Sequence, residues 1–101
     1  MVYNKLVRDK IPQIIATSGK KCTTEVLTED VYLQKLDEKL NEELSEYQES
    51  KSLEELADLL EVLDAVLKAR GFTWEELERL RRRKREKRGA FDQRILLVES
   101  E

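Results

Sequence analysis

Histidine is absent from the chain, and cysteine occurs once, as Cys22. Without an imidazole there is no Ser-His or Cys-His nucleophile pair, no histidine general base and none of the usual zinc sites. A single cysteine cannot form an intramolecular disulfide, and Cys22 falls in a predicted strand, where a structural role is the commoner one. Enzymatic chemistry must therefore rely on carboxylates, lysines, arginines and, where one is bound, a metal ion.

Long apolar segments are also absent. Charged side chains at Lys5, Arg8, Asp9 and Lys10 interrupt the N-terminal stretch, so it contains no apolar core of a signal peptide. No later stretch reaches the roughly 18 apolar residues of a membrane span. We therefore expect a soluble, cytoplasmic protein with no membrane partner.

Charged side chains make up 41% of the chain, yet its formal net charge is only -3. The charges largely cancel, which is typical neither of a polyanion nor of a generally basic nucleic-acid binder. A chain of 101 residues fits a single domain, 1–101, and so small a domain often relies on a partner subunit. The placement of the charges is therefore more informative than their sum.

Glycines and capping residues divide the sequence into helices and strands. Each of the three glycines stands where a helix should end, and capping-box patterns mark helix starts at Ser52 and Thr73. Two isolated strands are most stable when paired with each other, so the predicted fold is mainly α, with an antiparallel helical hairpin, a third helix and a small two-stranded β element. The predicted hairpin covers about 28–50 and 52–70, and the third helix covers about 73–87. A short helix is also predicted at about 12–18, and the predicted strands cover 22–27 and 94–98.

The second helix of the hairpin is apolar on two faces. One face contains Leu56, Leu60, Leu63 and Leu67, and the other contains Leu59, Val62 and Val66. One isolated hairpin cannot cover both faces, so we expect a homodimer or a higher homo-oligomer that forms a helical bundle.

Two carboxylate pairs with i,i+3 spacing lie on the hairpin, Glu43 with Glu46 on its first helix and Glu55 with Asp58 on its second. Residues three positions apart project about 60° from each other, so the members of a pair point the same way. The short loop brings both pairs towards the same end of the hairpin. Four acids converging there predict an oxygen-only site for a hard divalent cation.

The neighbours of these acids support a site. Glu46 and Asp58 have no lysine or arginine three or four residues away, whereas acids on a solvated helix face usually do. Glu55 projects between Leu59 and Val62, where an unpaired carboxylate shifts its pKa, finds a partner or coordinates a metal.

Helix capping is the alternative explanation. Glu55 completes the Ser52 capping box, and Asp58 lies near the positive end of the same helix dipole. Capping does not explain Glu43 and Glu46, which lie towards a helix C-terminus. Mg²⁺ is the expected ion, with Mn²⁺ as an alternative, because Mg²⁺ accepts sites completed by water and substrate phosphates.

Basic residues are concentrated in the third helix, where eight of the ten residues from Arg79 to Arg88 are lysine or arginine. This run fits a nucleic-acid patch, a solvated helix end or a phosphate site. Scarce and dispersed aromatic residues make nucleic acid the less favoured partner. The cations that would hold substrate phosphates are Lys5, Arg8, Lys10, Lys84, Lys87, Arg88 and Arg94.

Three segments together resemble the MazG-like all-alpha nucleoside triphosphate pyrophosphohydrolases, in particular the short subgroup often labelled phosphoribosyl-ATP pyrophosphohydrolase-like. They are E42-E43-x-x-E46 followed by E55-x-x-D58, the N-terminal Y3-N-K-L-V-R-D-K-I-P12 and the C-terminal K87-R-G-A-F-D-Q-R-I-L96. The resemblance covers nearly the whole chain. It departs at Ala90, where a second glycine is expected.

The resemblance implies hydrolysis between the α and β phosphates of a nucleotide, which gives a nucleoside monophosphate, or phosphoribosyl-AMP, and pyrophosphate. It also implies a dimer of helical hairpins and a Mg²⁺ ion held by the four acids. Glu42 is then an outer-shell or water-orienting residue, and we expect Glu42 and Glu46 to be the catalytic pair. Lys5, Arg8 and Arg88 are the strongest candidates for phosphate contacts. Nothing in the sequence identifies the base of the nucleotide.

Overall fold

The structure of the protein, a computed structural model that describes residues 3–101, consists of four helices, connected through residues 18–28, 51–52 and 70–73, and a C-terminal segment without helix or strand. The mainly-α class predicted from the sequence is confirmed. None of these helices is long and apolar enough to cross a membrane. The helices are α1 (Ile11–Thr17), α2 (Glu29–Ser50), α3 (Leu53–Ala69) and α4 (Trp74–Arg88).

A two-residue turn folds α2 and α3 back on each other, and theirs is the only extensive packing between helices in the described chain. Lys51 adopts a left-handed conformation, with a φ of 57°, and its amide donates to the Tyr47 carbonyl. Ser52 then caps α3, because its Oγ accepts a hydrogen bond from the Glu55 amide at 3.3 Å. Leu36 of α2 and Leu67 of α3 are buried. The hairpin is the scaffold for the acidic residues.

The prediction of a two-stranded β element was wrong, since residues 3–101 contain no strand. The segments 22–27 and 94–98 have no regular secondary structure, and Val26 and Ile95 expose 101% and 79% of their surface. Arg94 has a φ of 57° and donates its amide to the Phe91 carbonyl, so the first residue of the expected strand closes a turn. A β-rich composition favours a strand only where a neighbour and a core lie beside it, and here both are missing.

Helix α4 stands apart from the hairpin. Thr73 caps it by accepting from the Glu76 amide at 3.1 Å, and the indole N–H of Trp74 donates to Asp64 of α3. Beyond this start the helix projects outward, and the chain measures 60 × 31 × 24 Å with a radius of gyration of 18.1 Å. A compact domain of this length has a radius of gyration of about 13 Å. The single chain is therefore open.

Much apolar surface remains uncovered in this open chain. Its accessible surface is 9606 Å², whereas a compact monomer of the same mass exposes about 6,000 Å². One cavity of about 510 Å³ between α2 and α3 has an almost wholly apolar lining. This surface, the leucine groove, is formed by Leu40, Leu44, Leu56, Leu59, Leu60 and Leu63.

Candidate metal centre

Three carboxylates from the two helices of the hairpin meet at one point. Glu43 of α2 and Glu55 and Asp58 of α3 each contribute an oxygen, and these oxygens lie within 4.8 Å of one another. The i,i+3 spacing places the two α3 residues on one side of that helix, and the antiparallel packing sets Glu43 against them. Three formal negative charges so close together repel strongly unless a cation or a proton intervenes.

Two of the three carboxylates, those of Glu43 and Glu55, each have one oxygen that is buried without a hydrogen-bond partner. Glu43 exposes only 6% of its surface, and it is the buried charged residue of the described chain. The Oε2 atoms of Glu43 and Glu55 are inaccessible to water and have no hydrogen-bond partner. Burying an acceptor without a partner costs about 1–3 kcal/mol, and a charged acceptor costs more. These oxygens therefore fit a bound cation, which would satisfy them and cancel the repulsion.

The pKa shifts at the centre have the same origin. Burial raises the pKa of Glu43, and the neighbouring carboxylates of Glu46 and Asp58 raise it further, while Lys39 opposes them. Burial also raises the pKa of Glu55, and Glu46 is again the next contributor. Glu43 and Glu55 therefore hold a proton more tightly than an ordinary glutamate does, as expected for carboxylates removed from water beside other carboxylates.

Glu46 is half-buried on α2 and lies close enough to Glu43 and Glu55 to shift the pKa of both. It is not one of the three residues whose oxygens come within 4.8 Å of one another. All four predicted acids thus lie in one region, with Glu46 as its outer member.

Two of the N-terminal cations predicted to bind phosphate form ion pairs with acids of the hairpin. The Arg8 guanidinium lies 2.7 Å from Asp58 Oδ1, and Lys5 Nζ lies 3.1 Å from Glu42 Oε1. The hydrogen bond to Glu42 is the main reason that the pKa of Lys5 is raised. The residue pairs are 50 and 37 positions apart, so the helical spacing that located the acids could not locate these partners.

Lys39 was not selected from the sequence, although it is part of the centre. Its Nζ lies 3.3 Å from Glu42 Oε2 and 3.5 Å from Glu43 Oε1. Burial alone would raise the pKa of Glu42, but Lys5 and Lys39 outweigh that effect and lower it. The i,i+3 and i,i+4 spacing from Lys39 to these acids was the available signal.

The other predicted phosphate ligands lie elsewhere in the chain. Lys84, Lys87 and Arg88 are exposed on α4, and within residues 3–101 they form no ion pair with the acids of the hairpin. Arg94 follows α4 in the turn described above. Lys10 lines an open cavity of about 310 Å³ beside α1. A single chain therefore brings Lys5 and Arg8, but no residue of α4, into ionic contact with the acids.

Comparison with known proteins gives little further information. The chain is 45% identical over 42 residues to an uncharacterized protein of Mycolicibacterium smegmatis, which is 42% of this chain and 43% of the relative. The chain thus matches less than half of that relative's length. No protein-family model matches the chain. No solved structure matches it either.

Proposed function

We propose that the protein is a Mg²⁺-dependent nucleotide pyrophosphohydrolase that cleaves between the α and β phosphates. The observation that carries the proposal is the pair of buried, unpartnered Oε2 atoms of Glu43 and Glu55 next to Asp58. The resemblance of the acid motif and both termini to MazG-like enzymes supports the same reaction. The N-terminal cations beside the centre supply the opposite charge that phosphate chemistry requires.

The ligand chemistry favours Mg²⁺ or Mn²⁺. Glu43, Glu55 and Asp58 offer oxygen donors alone, the set preferred by hard cations. A bound Mg²⁺ would neutralise phosphate charge and lower the pKa of a coordinated water. We assign the metal to these three carboxylates, with Glu46 as the fourth candidate ligand.

The remaining side chains supply orientation, proton transfer and charge stabilisation. Water attacks the α phosphorus in line, a bond forms to its oxygen, and the bond from phosphorus to the bridging oxygen breaks to release pyrophosphate. In this proposal Glu46, next to the ligand acids, accepts the proton of the attacking water, and Glu42 orients that water. Lys5 and Arg8 can offset the charge that develops on the departing pyrophosphate.

The active form in this proposal is a homodimer. The leucine groove is an apolar surface that a second hairpin can cover, and the chain exposes 9606 Å² where a compact monomer exposes about 6,000 Å². Burial of apolar surface contributes about 25 cal/mol per Å², so covering the groove favours association. A second copy also provides a route by which the cations of α4 reach an acidic centre.

Pyrophosphate release from a nucleotide panel, with Mg²⁺ or with a chelator, tests the proposal. We expect turnover of at least one nucleotide only with the metal, and its loss in Asp58→Asn. The matched control is Glu49→Gln, which removes a carboxylate from an exposed position of α2 that forms no ion pair within residues 3–101. Equal activity of Asp58→Asn and the wild type would contradict the assignment.

Nucleic-acid binding through α4 is the second candidate function. All eight basic residues between Arg79 and Arg88 are exposed, and within the described structure only Arg81 forms an ion pair, with Glu78. Such a surface can neutralise a phosphate backbone. Tight RNA or duplex binding that falls steeply with salt, with no turnover across the nucleotide panel, would favour this candidate over the enzyme.

A further inference from the structure

The N-terminal segment, residues 4–8, is joined to both helices of the hairpin by three polar contacts. Lys35 Nζ of α2 donates to the Asn4 carbonyl at 3.4 Å, and Lys5 pairs with Glu42 of the same helix. Arg8 then reaches α3 and pairs with Asp58 at 2.7 Å. The segment therefore bridges both helices of the hairpin, and its guanidinium rests on one of the three carboxylates of the centre.

We propose that Arg8 is an internal counter-ion that holds Asp58 until a divalent cation replaces it. The inference rests on the metal centre proposed above and adds a competitor for it. A guanidinium and a divalent cation repel each other, and both seek the lone pairs of the same carboxylate. Binding of the metal therefore requires Arg8 to leave Asp58.

The exchange is easy because the ion pair is accessible to solvent. The Arg8 and Asp58 side chains expose 58% and 41% of their surface. Exposed pairs of this kind are weak, and the strongest of them shift an equilibrium by about fivefold. Arg8 therefore lowers the affinity for metal modestly and does not block the site.

The displaced arginine acquires a function. The contacts of Lys5 with Glu42 and of Asn4 with Lys35 do not involve Arg8, so they can hold its backbone near the centre after its guanidinium leaves Asp58. A phosphate that approaches the metal offers the guanidinium a new partner. Metal and phosphate therefore favour each other's binding, and the coupling is reciprocal because it is a property of the equilibrium.

Titration with Mn²⁺ alone, followed by calorimetry or by the spin-resonance signal of free Mn²⁺, tests the competition on the full chain. We expect Arg8→Gln to lower the Kd for Mn²⁺ about two- to fivefold. The control is Lys20→Gln, which removes the same charge at an exposed position after α1 that has no ion pair within residues 3–101. It should leave the Kd within measurement error of the wild type.

Two results overturn the role of Arg8 while leaving the metal centre in place. If both variants change the Kd equally, the effect is a general reduction of positive charge. If Arg8→Gln weakens Mn²⁺ binding or leaves it unchanged, the arginine does not compete for Asp58. A different result would show that the three acids do not bind metal at all. The wild type and Asp58→Asn would then bind Mn²⁺ equally poorly, and both this inference and the proposed function would be wrong.

Discussion

Replacing Glu43 by glutamine should stabilise the metal-free protein at neutral pH while destroying its response to metal. The folded-state pKa of Glu43 is raised, chiefly by burial. A glutamate with a raised pKa contributes its stability fully below the unfolded pKa of about 4.3, and that contribution is lost as pH rises through the folded pKa. Above that range the wild type carries a buried negative charge, which the glutamine does not have.

The magnitude follows from two opposing effects. A charged acceptor buried without a partner, as Glu43 Oε2 is, costs more than the roughly 1–3 kcal/mol of a neutral one. Neutralisation also removes the ion pair of Glu43 with Lys39 at 3.5 Å, and this loss is limited because Lys39 keeps a second carboxylate partner, Glu42, at 3.3 Å. The glutamine amide keeps an acceptor in the same place, so only part of the first cost is recovered. We expect a net gain of about 1 kcal/mol, which raises the Tm by about 4–8 °C for a small domain.

Thermal unfolding with a chelator and with Mn²⁺, at pH 5 and pH 8, measures both effects. The wild type should gain about 2.7 kcal/mol when Mn²⁺ is present at about 100 times its Kd, and the variant should gain much less at that concentration. The advantage of the variant in chelator should be larger at pH 8 than at pH 5. The control Glu49→Gln should leave the metal response unchanged.

Either of two outcomes would refute this reasoning about Glu43. If Glu43→Gln is less stable than the wild type at pH 8 in chelator, the buried charge is compensated within the chain and needs no cation. If the variant keeps the full stabilisation by Mn²⁺, Glu43 is not a ligand.

The Ser52 cap and the proposed dimer across the leucine groove can each be tested with a single substitution. Ser52→Ala removes the acceptor for the Glu55 amide and should lower the free energy of unfolding by about 1 kcal/mol, measured in urea; an unchanged value would mean that the bond is not formed in solution. Leu60→Asp places a charge in the leucine groove, at a residue with 53% of its surface exposed in the single chain. Sedimentation equilibrium should show a dimer for the wild type and a monomer for the variant, whereas a monomeric wild type would contradict the dimer.

Helix boundaries were predictable because their causes are local. Ser52 and Thr73 both accept the amide hydrogen bonds that their capping patterns imply. Gly71 and Gly89 follow their helices with φ values of 78° and 82°, a conformation that glycine adopts without steric cost. The helical period was then enough to predict that Glu43, Glu55 and Asp58 lie close together, because one short turn joins their helices.

The two segments predicted as strands show where local information stops. The composition of 94–98 favours a strand, and four of its side chains, Ile95 to Val98, expose between 78% and 83% of their surface. Strand pairing depends on what lies beside the segment, and no sequence pattern supplied a neighbour. The same limit hid the pairing of Arg8 with Asp58, which joins residues 50 positions apart.

The proposed reaction needs metal ligands and phosphate ligands together, and different parts of the chain supply these two sets of residues. Neighbouring turns of one hairpin supply the acids, so each chain carries its own set. The candidate phosphate ligands fall into two groups. Lys5 and Arg8 already form ion pairs with acids of the hairpin, whereas those of α4 lie on a helix that projects away from the hairpin. If the basic residues of α4 contribute to turnover, a second chain must bring them to the acids or the helix must move. A contribution of Lys84 or Arg88 to kcat would therefore be evidence about assembly as much as about catalysis.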